Sequence, residues 1–275
     1  MRLARALSSG LALAGVARWA PPRGPLILMY HGLGGRDGIP EQDFAAQLDL
    51  LSSRRRVVPL REALQSLGEA ESQELAAITF DDGYVDFAEL AVPALQARGL
   101  HATLFVPVTC IGGVNEWDRG YAENRRILDA EALRDLDTRV VEIGAHGLRH
   151  QRLAGLDADT LREETGGACA RLEEVCGREV RLFAYPYGQL DDFDAAAESA
   201  LRRAGFHAAC STHFGRGSSS EERFRLRRVG VAPGESLREF ALKLEGAYDW
   251  VSWKERLGKS ARGLHRRIRE PSGAA

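Results

Sequence analysis

The chain has 275 residues, of which 44% are hydrophobic, and this is enough for one large domain or two small domains with a buried core. Such a composition excludes a disordered or collagen-like protein. The 37 basic and 39 acidic residues leave a formal charge of −2, which argues against a protein that binds nucleic acid over its whole surface.

The charge is unevenly distributed along the chain. Residues 250–275 include seven basic and two acidic residues, so they carry +5 and the rest of the chain carries about −7. Trp250, Trp253 and Leu257 interleave with the bases, which is typical of an amphipathic helix on an anionic membrane or an acidic glycan. A solvated tail is the alternative interpretation.

The N-terminus also has two interpretations. Arg2 and Arg5 precede a run without charges over residues 6–17, a pattern found in the hydrophobic core of a signal peptide but too short to span a bilayer. A cleaved leader predicts a periplasmic or secreted protein of the cell envelope. Leu3, Leu7 and Leu11 also recur at helical spacing, and an ordinary amphipathic helix would suit a cytoplasmic or membrane-associated protein.

Four cysteines are too few for a disulfide framework in a chain of this length, and no C-x-x-C spacing suggests a metal site. Cys169 and Cys176 fall within one predicted helix, where seven residues rise about 10.5 Å, beyond the reach of a disulfide. We therefore expect the cysteines to be small core residues.

Short apolar runs alternate with amphipathic stretches from residue 26 onwards. Strands are predicted over residues 26–30, 56–60, 76–80, 102–106, 140–143, 182–185, 206–210 and 228–231. Helices are predicted around Phe44 to Leu51 and over residues 85–98, 130–136, 161–176 and 194–204. This alternation predicts an α/β fold with parallel strands, as an open sheet or a barrel, and functional groups just beyond the strand ends. Residues 110–126 are predicted to be a long loop over a cleft and residues 215–222 a polar loop.

Adjacent carboxylates follow the predicted strand over residues 76–80, in the sequence Thr79-Phe80-Asp81-Asp82-Gly83. Two like charges at a strand end favour a divalent cation, which one carboxylate ligates while the other accepts a proton. A solvated Asp-Asp-Gly turn is the simpler interpretation of this stretch alone.

Two histidines follow another predicted strand, in an H-x-x-x-H spacing at His146 and His150. On a helix they would share one face, with Cβ atoms about 5 to 6 Å apart, close enough for one metal ion. This spacing is weak evidence alone, but two histidines and a carboxylate are typical ligands of a hydrolytic metal site.

Two further strand ends carry polar groups. Pro186-Tyr187-Gly188 can direct a backbone N–H and an aromatic ring into a cleft, although a simple aromatic turn is the alternative. His31 follows the first strand, where a histidine of the core or surface is the ordinary expectation.

Taken together, these motifs resemble the polysaccharide deacetylase family, the carbohydrate esterases built on the NodB homology domain. The resemblance covers about residues 24–233. The opening Met-Tyr-His resembles a circularly permuted branch of that family, which includes deacetylases of biofilm poly-N-acetylglucosamine. It implies a distorted (β/α) barrel of about seven parallel strands over residues 24–235. Residues 1–23 would then be a leader or an amphipathic N-terminal helix, and residues 236–275 a basic helical tail.

The resemblance also implies a role for each matching residue. Asp81 would be the catalytic base, and Asp82, His146 and His150 would bind the metal, with Zn²⁺ expected and Co²⁺ or Ni²⁺ as alternatives. The Tyr187 amide would stabilise the oxyanion. His31 would be the general acid.

Two departures from the family pattern stand out. Gly147 replaces the Ser or Thr that usually follows the first histidine, which removes a hydrogen bond behind the ligands. Ala184 stands near the usual position of an arginine that orients the catalytic aspartate, and Arg228 is our candidate to replace it.

The expected function is therefore metal-dependent removal of acetyl groups from a glycan, above all N-acetylated amino sugars of an exopolysaccharide or the cell envelope. The expected partners are an acetylated glycan and, through the termini, a membrane surface, but no nucleic acid. The alternatives are a carbohydrate-binding protein of the same fold without turnover, and an O-acetyl esterase or amidase with another substrate.

Overall fold

Strands and helices alternate along the chain in a computed structural model that describes residues 24–120, 122–215 and 219–248. The strands are β1 (Leu26–Tyr30), β2 (Arg56–Val57), β3 (Leu75–Phe80), β4 (Ala102–Val106), β5 (Val141–Ala145), β6 (Leu182–Ala184), β7 (Ala208–Phe214) and β8 (Leu226–Gly230). The helices are α1 (Glu41–Ser52), α2 (Leu60–Gln65), α3 (Val92–Gln96), α4 (Ala130–Asp135), α5 (Ala158–Arg162), α6 (Ala168–Cys176), α7 (Ala195–Arg203) and α8 (Leu237–Glu245).

Seven parallel strands form a closed barrel. They pair in the order β1, β8, β7, β6, β5, β4, β3, and β3 returns to β1 along its whole length, from Leu26 opposite Ala76 to Tyr30 opposite Phe80. The expected (β/α) barrel of about seven parallel strands is confirmed. Because every strand runs in the same direction, all seven carboxyl ends open at one end of the barrel.

The predicted strand over residues 56–60 is wrong for most of its length. β2 has two residues and pairs with the start of β3, outside the ring of seven. Pro59 has no N–H to offer a ladder, and it directly precedes the first turn of α2. The seventh barrel strand is instead β8, which overlaps the predicted strand over residues 228–231.

Two of the predicted helices contain a π-helical turn. Residues 87–91 form such a turn ahead of α3, and residues 163–167 form another between α5 and α6. Each of these turns widens the helix by one residue, and such turns are frequent beside functional sites. The second one presents Glu164 to the active-site end of the barrel, as described below.

The core has two layers because side chains alternate across each strand. Inside the barrel lie Ile27, Ala77, Phe105, Leu182 and Leu226, with Leu60 and Leu64 of α2 closing the amino end. Outside it, the opposite faces of the strands pack under the helices in a cluster that includes Tyr30, Phe44, Phe80 and Phe87.

Helix α8 packs against α1 and buries Phe240 and Leu244 in the outer cluster of the core, within the stretch predicted as a helical tail. The predicted leader over residues 1–23 and the basic stretch over residues 250–275 lie outside the described residues. Among those that are described, no helix has both the length and the apolar character needed to cross a membrane.

Candidate active site

The residues predicted as a site meet at the carboxyl end of the barrel. Asp81 and Asp82 follow β3, His146 follows β5 and Tyr187 follows β6, while Arg228 lies within β8 and His31 follows β1. The parallel barrel therefore brings together side chains that are up to 197 residues apart in the sequence.

Asp81 and Arg228 form a buried, two-pronged ion pair. Both occupy inward positions, since Ala77 and Thr79 precede Asp81 on one face of β3 and Leu226 precedes Arg228 on β8. Two guanidinium nitrogens each lie 2.7 Å from a carboxylate oxygen of Asp81, and Nε donates to the Ser211 carbonyl at 2.9 Å. Arg228 is fully buried, and Asp81 is 2% exposed.

The Arg228 charge keeps Asp81 ionised. Burial raises the pKa of the Asp81 carboxyl, but the guanidinium charge and its hydrogen bonds outweigh burial and hold this pKa below its usual range. An arginine thus contacts Asp81, although Ala184 stands near the position where the family has its arginine.

Asp82, His146 and His150 place three donor atoms within 4.8 Å of one another. Oδ1 of Asp82 lies 3.5 Å from Nε2 of His146 and 3.4 Å from Nε2 of His150. All three residues are buried. Two imidazole nitrogens and one carboxylate oxygen form a ligand set that suits Zn²⁺ or a similar divalent ion and leaves coordination positions open.

The protonation of His146 also suits a cation. Nδ1 lies 2.7 Å from the Ala184 carbonyl oxygen, which can only accept, so this nitrogen carries the proton and Nε2 presents a lone pair to Asp82. Burial lowers the pKa of His146 to about 4, which keeps the imidazole neutral at pH 7. Two acceptors then face each other across 3.5 Å, a gap that a cation can bridge.

The two histidines do not lie on a helix. The stretch from His146 to His150 is a bent loop with positive φ at Gly147 (+75°) and at His150 (+53°). The interpretation that places the H-x-x-x-H spacing on a helical turn is therefore wrong. Glycine adopts this backbone at little cost. The loop geometry rather than helical spacing brings both rings to Asp82.

Glu164 stabilises this loop through hydrogen bonds to its backbone. Its fully buried carboxylate accepts the Leu148 and Arg149 amides at 2.9 and 3.1 Å. A Cβ at Gly147 would lie 3.3 Å from the same carboxylate oxygen, so Glu164 fills space beside the position where the family pattern has Ser or Thr. A residue from the π-helical turn therefore supports the loop beside Gly147.

His31 lies at the mouth of the site. Its side chain is 46% exposed, and Nε2 is 4.0 Å from the nearer Asp81 oxygen. It is therefore open to a substrate, unlike the buried residues around Asp82.

Tyr187 lies on the opposite wall, in a left-handed backbone conformation with φ of 59°. Its carbonyl accepts from the Thr212 hydroxyl, while its amide donates to none of the residues that the structure describes. The ring is 38% exposed, and the Arg152 guanidinium lies 4.2 Å from its centroid. The amide is thus not engaged by any residue that the structure describes.

Backbone strain is concentrated at this end of the barrel. Among the described non-glycine residues, positive φ occurs at Asp82, His150 and Tyr187, all three of which are predicted site residues. Such conformations cost of order 1–3 kcal/mol each and persist where the surrounding structure fixes them. The strain supports the identification of this cleft as the functional site.

The predicted long loop over residues 110–126 lies beside the site residues. Trp117 stacks on the His150 ring, with centroids 3.9 Å apart and an interplanar angle of 22°. Tyr84 follows Asp82 closely in the chain, and burial together with the Asp82 charge raises the pKa of its phenol. Sequence reasoning assigned neither residue to the site, although Trp117 falls in the predicted loop.

Arg125 ties the same loop to the segment after His31. Its guanidinium donates to the Leu33 carbonyl at 3.1 Å, to the Gly34 carbonyl at 2.9 Å and to Asp86 at 2.5 Å. Asp86 in turn accepts the Leu33 amide at 2.9 Å. No spacing pattern in the sequence indicated these contacts, since they join residues that are 39 to 92 positions apart.

A sequence model of the polysaccharide deacetylase family matches residues 68–209, which is just over half of the chain. The chain is 25% identical over 224 residues to YxkH of Bacillus subtilis (strain 168), a protein provisionally named as a polysaccharide deacetylase, covering 80% of this chain and 75% of that protein.

Two solved structures share the fold. The deacetylase PplD of Streptococcus pyogenes, in complex with acetate, has a TM-score of 0.67 at 20% identity and covers 82% of this chain and 99% of its own. IcaB from Ammonifex degensii has a TM-score of 0.68 at 23% identity and covers 82% of this chain and 97% of its own.

Proposed function

Since the chain belongs to the polysaccharide deacetylase family, we propose that it is a metal-dependent hydrolase of acetylated glycans. N-acetylated amino sugars of an exopolysaccharide or a cell-envelope glycan are the proposed substrates. The observation that carries this proposal is the convergence of Asp82, His146 and His150 beside the buried pair of Asp81 and Arg228.

Asp82, His146 and His150 would hold the metal ion, with Zn²⁺ favoured by its two nitrogen ligands and one oxygen ligand. When bound, such an ion polarises an acyl carbonyl and lowers the pKa of a coordinated water towards about 7. The family's expected cofactor thus fits the donors that this chain presents.

Asp81 is suited to act as the base. Its carboxylate is held in one orientation by the two guanidinium bonds and stays ionised, so it can take a proton from the attacking water. The new C–O bond turns the acetyl carbonyl into an oxyanion, and the Tyr187 amide can donate to that oxygen. A preorganised donor of this kind contributes about 2.7 to 4 kcal/mol to catalysis.

His31 is suited to act as the acid. It is exposed at the mouth with Nε2 4.0 Å from the nearer Asp81 oxygen, so the acid and the base lie side by side at the same end of the cleft. Protonated His31 would donate to the sugar nitrogen as the C–N bond breaks, which releases acetate and a free amine. The acetate in the related PplD structure is the acid product that such a reaction would release.

One contact counts against the binding-protein alternative. It depended on Ala184 standing where the family has an arginine, and Arg228 makes the contact with Asp81 from another strand. Hydrolysis of O-acetyl groups remains the competing activity, because the same groups would act on an ester.

Acetate release tests the proposal. The full chain is assayed on a panel of N-acetylated and O-acetylated glycans, with a chelator, without it, and after return of Zn²⁺, Co²⁺ or Ni²⁺. We expect release from N-acetylated glycans that the chelator abolishes and added metal restores. Asp82→Ala should lose bound metal and activity together, whereas Asp135→Ala, an exposed aspartate on α4, should keep both. Full activity of Asp82→Ala would contradict the ligand assignment.

We also propose a location in the cell envelope, on the basis of the charge-free run over residues 6–17. Fractionation of cells that express the full chain, compared with a chain lacking residues 1–23, tests this location. Retention of both forms in the cytoplasm would contradict it.

A further inference from the structure

The two histidines of the proposed metal centre are supported in different ways. His146 donates from Nδ1 to the Ala184 carbonyl at 2.7 Å, the usual arrangement behind a metal ligand. Nδ1 of His150 is buried and has no hydrogen-bond partner among the described residues. Another contact must therefore fix the plane of the His150 ring.

Trp117 supplies that contact. Its indole lies nearly parallel to the His150 imidazole at a centroid distance of 3.9 Å, close enough for direct stacking. Tyr187 lies 5.0 Å from the same imidazole at an interplanar angle of 57°. Aromatic rings thus determine the direction in which Nε2 of His150 points, which is towards Asp82 at 3.4 Å.

The loop that carries Trp117 is itself held firmly. Asn115 is 1% exposed, and its side chain accepts the Arg125 amide at 2.7 Å and donates to Asp118 and to the Glu123 carbonyl, both at 3.2 Å. Val114 forms an isolated bridge with Arg126. These bonds fix the short turn over residues 116–118, so the indole is presented by an ordered segment.

We propose that Trp117 is a positioning residue of the metal centre. Its indole face fixes the ring plane of His150, as the Ala184 carbonyl fixes that of His146. This role rests on the proposed metal-dependent function. Because stacking fixes the ring plane without accepting the Nδ1 proton, removal of the indole leaves His150 free to rotate about its side-chain bonds and weakens metal binding.

Metal affinity and tryptophan fluorescence test the role. The sequence has four tryptophans, so replacing Trp19, Trp250 and Trp253 with Phe leaves Trp117 as the single fluorophore. We expect Co²⁺ to quench this emission and a chelator to restore it, because the indole lies against a ligand of the ion. The quenching titration then gives the Kd for Co²⁺.

Substitutions at position 117 are compared by competition for Co²⁺ with a chromogenic chelator. Trp117→Ala should bind Co²⁺ about 10- to 100-fold more weakly than the wild type, the usual cost of losing a residue behind a metal ligand. Trp117→Phe keeps a stacking face and should recover much of the affinity, whereas Trp117→Leu keeps bulk alone and should not. Arg119→Ala truncates an exposed side chain in the same loop and should bind as the wild type does.

The outcomes separate the two proposals. If the wild type binds no Co²⁺, the metal-dependent function itself fails. If the wild type binds Co²⁺ and Trp117→Ala or Trp117→Leu binds with the same Kd, the function stands and the positioning role is overturned. Thermal unfolding of the metal-free variants checks folding, and if Trp117→Ala does not fold, the comparison of Phe with Leu at this position decides.

Discussion

The active site has a floor and a rim that are built differently. The floor consists of the buried residues Asp81, Asp82, His146, His150 and Arg228, which lie in or directly after barrel strands or in the loop that follows β5. The rim consists of His31, Trp117, Arg125 and Tyr187, which lie in the connections above it. Floor residues are fixed by strand pairing and backbone geometry, whereas rim residues are fixed by side-chain contacts between loops.

Substitutions in the floor and in the rim should therefore have different effects on the protein. A change in the floor leaves a buried charge or a loop amide without its partner, so stability and metal binding should fall together. A change at His31 or Arg125 in the rim should alter catalysis while the metal site remains. Trp117 and Tyr187 differ from them because their rings contact the ligand His150. The four predictions that follow test this division in order of decreasing effect.

The largest expected effect is that of Arg228→Met. Removal of one partner from a buried ion pair costs about 3–5 kcal/mol, because the Asp81 charge would stay buried without compensation. Urea unfolding of the metal-free protein measures this loss. The double variant Asp81→Asn with Arg228→Met removes both charges and should recover much of the stability. A urea midpoint of Arg228→Met equal to that of the wild type would refute the importance of this pair.

Glu164→Ala should have the next largest effect. A hydrogen bond to a charged group contributes about 1.5–3 kcal/mol, and Glu164 accepts two loop amides next to the metal ligands. We expect lower stability in urea together with weaker Co²⁺ binding, since the loop that presents His150 loses its anchor.

Glu163→Ala is the matched control for Glu164→Ala. Glu163 pairs with the same Arg149 at 2.7 Å but is largely exposed, and exposed pairs contribute about 0–1 kcal/mol. Equal effects at the two glutamates would mean that the π-helical turn, rather than the buried carboxylate, supports the loop.

Arg125→Ala tests the rim. It releases the Leu33 and Gly34 carbonyls and Asp86, so we expect a stability loss of about 1–3 kcal/mol and a fall in kcat as the segment after His31 moves. Co²⁺ binding should stay at the wild-type level, because Arg125 touches no ligand. Loss of Co²⁺ affinity in this variant would show that rim and floor are not independent.

Cysteine alkylation should give the smallest effect and sharpen the contrast in accessibility. Burial raises the pKa of Cys210 to about 12 and that of Cys169 to about 11, and Cys176 is also buried. Burial also raises the pKa of the Cys110 thiol, but Cys110 is partly exposed in the loop of the rim, so accessibility makes the difference. Iodoacetamide at pH 8 should therefore modify Cys110 alone in the folded protein, as mass spectrometry of peptides would detect. Rapid modification of Cys210 would indicate that the barrel interior opens.

Much of the floor could be predicted from the sequence because strand ends are local features. An apolar run followed by Asp81-Asp82, and another followed by His146, place these residues at one end of any parallel barrel. Arg228 was the sequence candidate to replace the arginine that the family has near Ala184, and the inward positions on β3 and β8 explain its pairing with Asp81. The backbone conformation of the loop from His146 to His150 was not predictable. It depends on Glu164, and the sequence around Glu164 predicts an ordinary helix.

Little of the rim could be predicted from the sequence, because its contacts join residues that are far apart in the chain. Trp117 was visible as an aromatic residue in a predicted loop, but nothing local indicates that it stacks on His150. Arg125 reads as a solvated charge, yet it reaches two carbonyls more than 90 residues away. Pairings of this kind depend on how loops pack in three dimensions rather than on periodicity.

Barrel closure unites β1 and β8, which begin 200 residues apart. During translation, Asp81 leaves the ribosome long before Arg228 has been synthesised, so the nascent chain must keep this carboxylate hydrated until the last strand arrives. Contacts of such high sequence separation are formed late and slow folding. A stalled or truncated chain that ends before β8 would thus carry an open barrel edge and an aspartate without its counter-ion, which is a form suited to recognition by chaperones and proteases.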